Sequence, residues 1–489
     1  MKKILATILA LVLALGLTAT VWAEGEGTAS GSMTGVEFLA KAKDGVITLT
    51  GDVTLTSTLE ITNGNNVTID LNGNTVTSSL STAIKVFNGY LTVKNTANTS
   101  GKISATGEAF RLVGNNNPAT WESASTPAEL VIEKGVEVES SADCSVYLYG
   151  KGAKVDVYGK LVSKGIYATI QGQGTIDNRQ NNSGTEIFIH EGAEVIHTGA
   201  AGAIYHPQVG TLTVMGGTIT GGDVAVEIRR GTLNISGGTF TSNSNTFVCM
   251  PNTSPTSGST ASGVAVAIAP HGAVGELGKE VKVNITGGTF NGIYGLYQAD
   301  PDNRTEQGVN GVNIDIDVSN GKFVSTGTYT QGDTVYGAAV YSEDVTNFIS
   351  GGTFSSDVSD SYVAANTAVA EVKSNGQTTY AVGGAAIAAA ANSGADVTVT
   401  KAGPVSGVNS GVSIKVKDDV KGVTINDTPA AAGTTYTVPA KYYYTNPTTT
   451  TTPDTTKGSP KTFDAGVGIY AVTAVLSVTG MAWTAKKRH

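Results

Sequence analysis

The chain has 489 residues, a formal net charge of −9, 62 glycines and only two cysteines. An acidic chain has no electrostatic attraction to nucleic acid or anionic lipid, so neither is expected as a partner. Two cysteines in a chain of this length exclude a disulfide-based scaffold, and abundant glycine, threonine and valine with 15% charged residues indicate β structure.

Residues 1–23 have the layout of a secretory signal peptide. Lys2 and Lys3 precede an apolar run at residues 4–17, and a segment ending at Ala23 follows it. This order predicts cleavage between Ala23 and Glu24 and export from the cell. An uncleaved N-terminal anchor is the alternative, although the apolar run is short for a bilayer-spanning helix.

Residues 24–45 are predicted to form an N-terminal helical cap. Thr34 and Glu37 fit a capping box, in which each side chain satisfies a backbone N–H group at a helix start. The stretch at residues 38–42 that follows is the best helical pattern before the first strands. Such a helix would cover the open end of stacked strands.

Residues 46–382 show the period-two alternation of apolar residues that half-buried strands require. The clearest runs are Val67–Leu71, Val155–Val157, Val224–Ile228, Val281–Ile285 and Ile314–Val318. Alternation alone does not distinguish parallel from antiparallel pairing, so a β-sandwich array remains an alternative fold.

One unit, Gly-Gly-Thr followed by Phe or Ile, recurs in this region. Its copies begin at Gly216, Gly237, Gly287 and Gly351, with a fainter copy at Asn320, in steps of 21, 50, 33 and 31 residues. A step of 21 fits one coil of a parallel β-helix, 31 to 33 one coil with an excursion, and 50 two coils with a loop. The glycines are predicted to need positive φ or close backbone approach, and the aromatic rings to stack about 4.8 Å apart.

These motifs resemble those of the pectate-lyase-like right-handed parallel β-helix proteins. Bacterial surface proteins of this kind combine a segment like Ile47–Val76 with Gly-Gly-Thr-Phe repeats. The resemblance implies an all-β fold in which residues 46–382 form a right-handed parallel β-helix solenoid. The motifs are typical of coil geometry and do not specify an activity.

The sequence pattern changes after Asp357. Residues 383–440 are predicted to be a small β module, in which the alanine-rich run at 383–392 fits either a short helix or a buried strand. Residues 441–458 are rich in threonine and contain proline, and the stretch Thr448–Thr456 has no apolar face, which predicts an extended wall-spanning linker.

Residues 459–489 have the parts of a cell-wall sorting signal. Residues 465–485 carry no charge, and a helix of 21 residues reaches about 30 Å, the thickness of the bilayer core. The basic tail at 486–489 is predicted to stay on the cytoplasmic side of this transmembrane helix. A buried core helix is the alternative for the apolar run.

The pentapeptide at 459–463 resembles the LPxTG-type signal of sortase-anchored surface proteins of Gram-positive bacteria. Pro460, Lys461 and Thr462 fit this pattern, whereas Ser459 replaces the usual leucine and Phe463 the usual glycine. The resemblance implies a sortase and a peptidoglycan precursor as partners, cleavage after Thr462 and an extracellular location on the cell wall. Without cleavage, a plain membrane anchor remains.

Outward-facing tyrosines are the candidate ligand-binding residues. Tyr147, Tyr149 and Tyr158 share outward parity on strands about ten residues apart. Aromatic faces beside polar groups stack on sugar rings, so a host or environmental glycan is the candidate partner, with a protein as the alternative. Three further tyrosines near strand ends are Tyr205, Tyr294 and Tyr297.

Several outward-facing or turn residues are weak candidates for catalysis or metal binding. The candidate groups are Asp315 with Asp317, Glu186 with Phe188 and His190, Glu227 with Arg229, Asp70, and Asp300–Asn303. Asp315 and Asp317 are expected about 6 to 7 Å apart, as in inverting glycosidases, but neither has a neighbour that would raise its pKa. His190 is expected to be exposed without a partner, and Asp70 to serve a turn. The segment at 300–303 could hold calcium, although Arg304 stands where another oxygen ligand would help.

Motifs of the common hydrolases, phosphate-binding loops and zinc sites are absent, so no catalytic residue, metal or cofactor is expected. Cys144 shares strand parity with Val146 and Leu148 and is expected to be a buried small hydrophobe, with pairing to Cys249 as the alternative. The sequence thus favours an adhesin-like or structural surface protein over a pectin-lyase-like carbohydrate-active enzyme.

Overall fold

The computed structural model describes residues 27–114, 127–173, 184–249, 261–270, 280–299 and 313–440. All of the described residues belong to one compact unit. The predicted signal peptide, wall-spanning linker, sorting signal and membrane helix therefore lie outside the described residues. Neither described helix combines the length and apolar character needed to span a bilayer.

The described residues form an all-β fold built mainly from parallel sheets. Between residues 46 and 354 all but four short described strands form three stacks, and within each stack every strand pairs in parallel with the next. One strand from each stack, taken in order, makes one repeat of the chain. This parallel pairing excludes the β-sandwich alternative, whose sheets are antiparallel.

The first stack consists of Val46–Leu55, Asn66–Asp70, Tyr90–Lys94, Glu129–Ile132, Lys154–Val157, Glu186–Ile189, Thr211–Val214, Gly231–Ile235, Glu280–Ile285 and Asn313–Val318. The second stack, which begins against the end of Val46–Leu55, consists of Thr75–Ser78, Gly101–Ala105, Val136–Ser140, Lys160–Ser163, Glu194–His197, Thr218–Gly221, Thr239–Ser242, Thr289–Gly292, Lys322–Ser325 and Gly352–Phe354. The third stack consists of Leu59–Ile61, Thr82–Phe87, Glu108–Val113, Val146–Tyr149, Ile170–Gly172, Ile204–His206, Val224–Ile228, Val264–Ile268, Tyr294–Gln298 and Ala338–Ser342.

Alternating side chains of all three stacks point into one continuous core. The inward positions of the predicted runs, such as Val155 and Val157, are fully buried. Ile314, near the end of the first stack, is only half-buried against this core. A strand contributes few inward side chains by itself, so core burial depends on neighbouring repeats.

The aromatic residues of the repeated unit lie in second-stack strands and stack in register. Phe240, Phe290, Phe323 and Phe354 have successive ring centroids 4.9, 4.6 and 5.0 Å apart. These distances match the separation of neighbouring strands. The predicted ring stacking is confirmed.

The two glycines of each unit have different roles. Gly288 has a φ of +103°, a backbone conformation that residues with a Cβ rarely adopt. A Cβ on Gly287 would lie 2.3 Å from the Ser236 carbonyl oxygen of the preceding repeat. One glycine therefore provides the turn, and the other permits two backbones to approach closely.

The prediction that the step of 50 residues spans two coils is wrong. Phe240 and Phe290 pair directly on neighbouring strands, so the step of fifty residues is one repeat and not two. Between the second-stack and third-stack strands of this repeat, the short strands Val248–Cys249 and Ala261–Ser262 pair antiparallel as an excursion. A second excursion lies two repeats later, also between a second-stack and a third-stack strand. It is the antiparallel hairpin of Tyr329–Gln331 and Thr334–Tyr336.

The N-terminal end of the stacks is covered as the capping box predicts. Thr28–Met33 adds a parallel strand to Val46–Leu55, and the helix Gly35–Ala40 follows it. The Thr34 backbone N–H donates to the Glu37 carboxylate at 2.7 Å, and the Glu37 N–H donates to the Thr34 hydroxyl at 3.2 Å. The predicted capping box is confirmed.

The stacks end in antiparallel structure with a second hydrophobic core. Val369–Ser374 and Gln377–Val382 form a hairpin that pairs with Gly352–Phe354 on one side and with Asp396–Lys401 on the other. The alanine-rich run is a helix, Gly384–Asn392. The remaining strands are Pro404–Val405, Ser413–Val416, Val423–Ile425, Thr428–Ala430 and Thr435–Thr437.

Candidate functional site

The outward face of the third stack carries one column of side chains, with one residue from each strand in register. From the first strand to the last its members are Glu60, Lys85, Arg111, Tyr147, Gln171, Tyr205, Glu227, Ala267, Tyr297 and Tyr341. The column brings together residues separated by more than 280 positions in the chain. Of the tyrosines singled out from the sequence, Tyr147, Tyr205 and Tyr297 belong to this column.

Tyr147 and Tyr149 are half-buried neighbours on this face. Their rings are nearly parallel, with centroids 6.5 Å apart, and the Arg111 guanidinium lies 5.2 Å from the Tyr147 ring centroid. Glu108 accepts a 2.7 Å hydrogen bond from Arg111 Nε and holds the guanidinium in place. The Tyr147 hydroxyl donates to Gln173, and burial raises the pKa of this phenol. Tyr147 is therefore largely engaged by protein groups.

Tyr158 lies apart from Tyr147 and Tyr149 and is outside any strand, which corrects the prediction that it lies on one: it directly follows the first-stack strand Lys154–Val157. Its ring stacks on His190 of the next repeat, with centroids 3.7 Å apart and an interplanar angle of 13°. His190 Nε2 lies 2.9 Å from the Asp156 carboxylate, and Lys154 Nζ lies 3.5 Å from the same group. Lys154 also lies 5.4 Å from the ring centroid of Phe188. We call Lys154, Asp156, Tyr158, Phe188 and His190 the His190 cluster.

The expectation that His190 has no partner is wrong. The strand Lys154–Val157 pairs with Glu186–Ile189, which places Asp156 beside Phe188 and the residues that follow, Tyr158 and His190, on adjacent repeats. Alternation assigns Asp156 to the outward face, but the contact depends on the register between strands 32 residues apart. The sequence shows which side of its strand each residue faces, but it does not show how the two strands are aligned with each other.

The outward row of Glu227 and Arg229 is buried, which corrects the expectation that it faces solvent. Glu227 is 0% exposed and Arg229 is 1% exposed. Their closest charged atoms are 3.8 Å apart, and Arg229 Nε donates to the Ala269 carbonyl at 2.9 Å. Apolar residues of the first excursion, including Phe247 and Ala261, pack on this face of the third stack, which alternation cannot reveal.

The other carboxylates singled out from the sequence either face solvent or hold a turn. Asp315 lies 3.4 Å from Lys282 Nζ on the exposed face of the first stack, and Asp317 is likewise exposed. Asp70 is buried and accepts hydrogen bonds from the backbone N–H groups of Asn72 and Thr96 at 3.0 and 3.1 Å. Its predicted turn role is confirmed.

Sequence reasoning missed most of an aromatic cluster on the outward face of the third stack. Phe247 and Tyr336 come from the two excursions, and Tyr294, Tyr297 and Tyr341 from the last two third-stack strands. Phe247 has ring centroids within 5.0 Å of Tyr294, Tyr297 and Tyr336. Only Tyr294 and Tyr297 were identifiable from their strand ends, because the other members come from excursions or from a strand 44 residues later.

Cys144 is a buried free thiol, which confirms its predicted environment. Burial raises the pKa of this thiol well above its ordinary value. Among the described residues no group of three or more histidine, cysteine, aspartate or glutamate side chains is arranged to hold a metal ion. The calcium candidate at 300–303 lies outside the described ranges.

No protein-family model, no curated protein and no solved structure matches this chain. Its function is therefore inferred from its residues and their geometry.

Proposed function

We propose that the chain is an exported, surface-anchored protein of a Gram-positive bacterium that displays a right-handed parallel β-helix and binds glycans on the outward face of that solenoid. The solenoid assignment is supported by three stacks of parallel strands that repeat in the same order along the chain. The ladder of buried phenylalanines has the spacing that such winding requires. An extended stack of repeats presents a large surface relative to its length, which suits an adhesin-like or structural role.

Export and anchoring are supported by the two ends of the sequence. A signal peptide at 1–23 and a sorting signal at 459–489 would place the folded repeats outside the cell, with Thr462 joined to peptidoglycan. In the native host, muramidase treatment is expected to release the chain with wall fragments attached at Thr462. A Pro460→Ala/Thr462→Ala chain is expected to be extracted by detergent instead. Wall fragments on this double variant would contradict sortase anchoring at that motif.

The observation that supports glycan binding best is the Tyr158–His190 stack. Tyr158 is 39% exposed, although His190 stacks on its ring at a centroid distance of 3.7 Å. The preceding repeat places exposed Glu133 in the same column, since the Tyr158 N–H donates to the adjacent Ile132 carbonyl. An aromatic ring fixed by its neighbour, with carboxylates beside it, has the apolar face and the hydrogen-bond acceptors that a pyranose requires.

Tyr147 and Tyr149 support this function less directly. The Arg111 guanidinium lies over Tyr147, and the phenol donates to Gln173. Binding a sugar on that ring would require the Arg111–Glu108 pair to move, which removes a charge-assisted hydrogen bond. Tyr158 is more exposed than either of these two half-buried tyrosines.

A glycan array with the full-length chain in mild detergent tests the proposal. Tyr158→Ala is expected to weaken binding to the preferred glycan at least ten-fold, because it removes the exposed ring. Tyr167→Ala is the matched control, since Tyr167 is 47% exposed and lies in a turn outside the cluster. Equal losses in both variants, or none in either, would contradict binding at the His190 cluster. Release of shortened products from a bound polysaccharide would favour a carbohydrate-active enzyme.

A further inference from the structure

We infer that Asn320 is a site of self-modification, at which the backbone nitrogen of Gly321 attacks the side-chain amide and converts the asparagine into aspartate and isoaspartate. This pair belongs to the fainter copy of the repeated unit, in which Asn320–Gly321 replaces the pair of glycines. The substrate is the chain's own carboxamide, and water is the only other reactant. The reaction needs no bound ligand and is independent of glycan binding.

The reaction has two steps. When the Gly321 amide loses its proton, its nitrogen forms a bond to Cγ of Asn320, the bond from Cγ to Nδ2 breaks, and ammonia leaves with a proton from water. Water then opens the resulting succinimide ring. Opening at Cγ gives aspartate, and opening at the backbone carbonyl gives isoaspartate, in which the main chain runs through Cβ and Cγ. Either product carries a carboxylate where the asparagine was neutral.

The sequence does not single out this position. Glycine has no Cβ to hinder its nitrogen, so each asparagine that precedes a glycine can form such a ring. The chain contains seven such pairs, of which Asn310–Gly311 lies outside the described residues. The six asparagines of the other pairs are Asn63, Asn72, Asn88, Asn291, Asn320 and Asn375.

Backbone conformation prevents ring closure at four of these six positions. The ring requires the next nitrogen to lie on the same side of the Cα–C bond as Cβ. In the left-handed conformation ψ is about +47°, which turns that nitrogen to the side opposite Cβ. The Gly73 N–H is moreover engaged by Asn95 Oδ1 at 2.7 Å. The four left-handed asparagines, with φ between +45° and +58°, are Asn63, Asn72, Asn88 and Asn375.

Asn291 is held by strand pairing instead. It lies within the second-stack strand Thr289–Gly292, which pairs in parallel with a strand on each side. This pairing keeps its backbone extended, a conformation in which the next nitrogen also points away from Cβ. Ring closure there would require the ladder to open.

Asn320 has the required arrangement. It is exposed and does not adopt the left-handed conformation. The Gly321 N–H donates to Asn320 Oδ1 at 2.8 Å, so the side chain folds back over its own peptide bond. Because Cγ carries that oxygen, the hydrogen bond brings Cγ next to the nitrogen, and loss of the amide proton frees the nitrogen to attack. Reacting groups held together in this way gain rate because little orientational freedom remains to be lost.

The surrounding repeats hold the nucleophile in place. The Gly321 carbonyl accepts from the Thr353 N–H of the next repeat at 2.8 Å. A Cβ on Gly321 would lie 3.1 Å from the Phe323 ring and 3.2 Å from the Phe290 ring, so this glycine lies against the phenylalanine ladder. The Asn320 side chain faces solvent, which supplies both the base and the water. The fold thus positions the nitrogen and leaves the carboxamide accessible.

The test incubates the full-length chain in mild detergent at 37 °C and pH 8, either folded in buffer, as checked by circular dichroism, or unfolded in 6 M guanidinium chloride. Digestion with pepsin at pH 2 suppresses further ring closure, and fragment-ion mass spectra give the modified fraction at each asparagine. In the folded chain the initial rate at Asn320 is expected to be at least ten-fold higher than the rates at Asn72 and Asn375. In guanidinium chloride the three rates are expected to agree within three-fold, because no fold then distinguishes the three pairs.

The products identify the route. Isoaspartate is expected at Asn320, because ring opening produces it and direct hydrolysis of the carboxamide does not. Hydroxylamine, which opens a succinimide and cleaves the chain, is expected to cut the folded chain after Asn320. The variant Asn320→Gly restores the glycine pair of the other copies and is expected to abolish this cut, whereas the control Asn375→Gly is expected to keep it.

Three results would overturn the inference. The first is a rate at Asn320 in the folded chain that does not exceed the rates at Asn72 and Asn375. The second is aspartate without isoaspartate at Asn320. The third is an equal preference for Asn320 in guanidinium chloride, since the preference would then come from the local sequence and not from the fold.

Discussion

Phe240 and Phe290 lie fifty residues apart in the chain, and their rings stack with centroids 4.9 Å apart on neighbouring strands. The excursion between them therefore does not interrupt the repeat. The entropic cost of closing a flexible loop rises only slowly, by about 0.6 kcal/mol for each doubling of its length, so a stacked fold tolerates such insertions. The two excursions also supply Phe247 and Tyr336 to the aromatic cluster on the third stack.

The phenylalanine ladder is expected to contribute strongly to stability. Phe290→Ala removes a fully buried ring between Phe240 and Phe323, and is expected to lower the free energy of unfolding by about 3 to 5 kcal/mol. Urea unfolding followed by far-ultraviolet circular dichroism measures this change. Tyr167→Ala, on the surface, is expected to stay within about 0.5 kcal/mol of the unmodified chain. A loss below about 1 kcal/mol for Phe290→Ala would mean that the ladder does not pack as described.

The close approach of successive repeats predicts a difference between two glycines. In Gly287→Ala the new Cβ would lie 2.3 Å from the Ser236 carbonyl oxygen, and we expect the backbone shift to cost about 1 to 3 kcal/mol. Gly327→Ala is the control, because nothing lies within 4 Å of its Cβ position and its φ is ordinary. Thermal unfolding midpoints of the two variants give the comparison. Equal midpoints would contradict the close approach at Gly287.

Local patterns predicted the features that depend on one strand or one turn. The phenylalanine ladder follows from alternation and a repeated turn, the capping box from Thr34 and Glu37, and the burial of Cys144 from strand parity. Features that depend on register between distant strands were not predictable. The Asp156–His190 contact joins residues 34 positions apart. The burial of Glu227 was not predictable either, because alternation assigns this residue to an outward face.

Cys144 is expected to be unreactive in the folded chain. The thiolate is the reactive form, and burial both raises the pKa of this thiol and blocks access to it. In a Cys249→Ser chain, we expect the remaining thiol to react with Ellman's reagent at pH 8 at least 100-fold more slowly in buffer than in 6 M guanidinium chloride. Complete reaction of the folded chain within seconds would show that this part of the third stack opens readily.

His206 gives the fold a predicted sensitivity to acid. It ends a third-stack strand and is fully buried, and burial lowers the pKa of its imidazole from 6.5 to about 4. The folded chain thus keeps His206 neutral, whereas the unfolded chain protonates it near pH 6.5. Between these values the unfolded state binds more protons, so the free energy of unfolding falls as the pH falls. Above about pH 7 this histidine contributes no pH dependence.

The contribution of His206 is expected to amount to about 3 kcal/mol lost between pH 7 and pH 4, since each pKa unit corresponds to about 1.4 kcal/mol. Urea unfolding at half-unit pH intervals measures the slope. His206→Gln cannot take up the proton and is expected to flatten the curve by that amount, whatever its stability at pH 7. His489→Gln, which removes the same group from the last residue of the chain, is the control and is expected to leave the slope unchanged. A slope in His206→Gln equal to that of the unmodified chain would mean that the imidazole reaches water or a proton acceptor in the folded state.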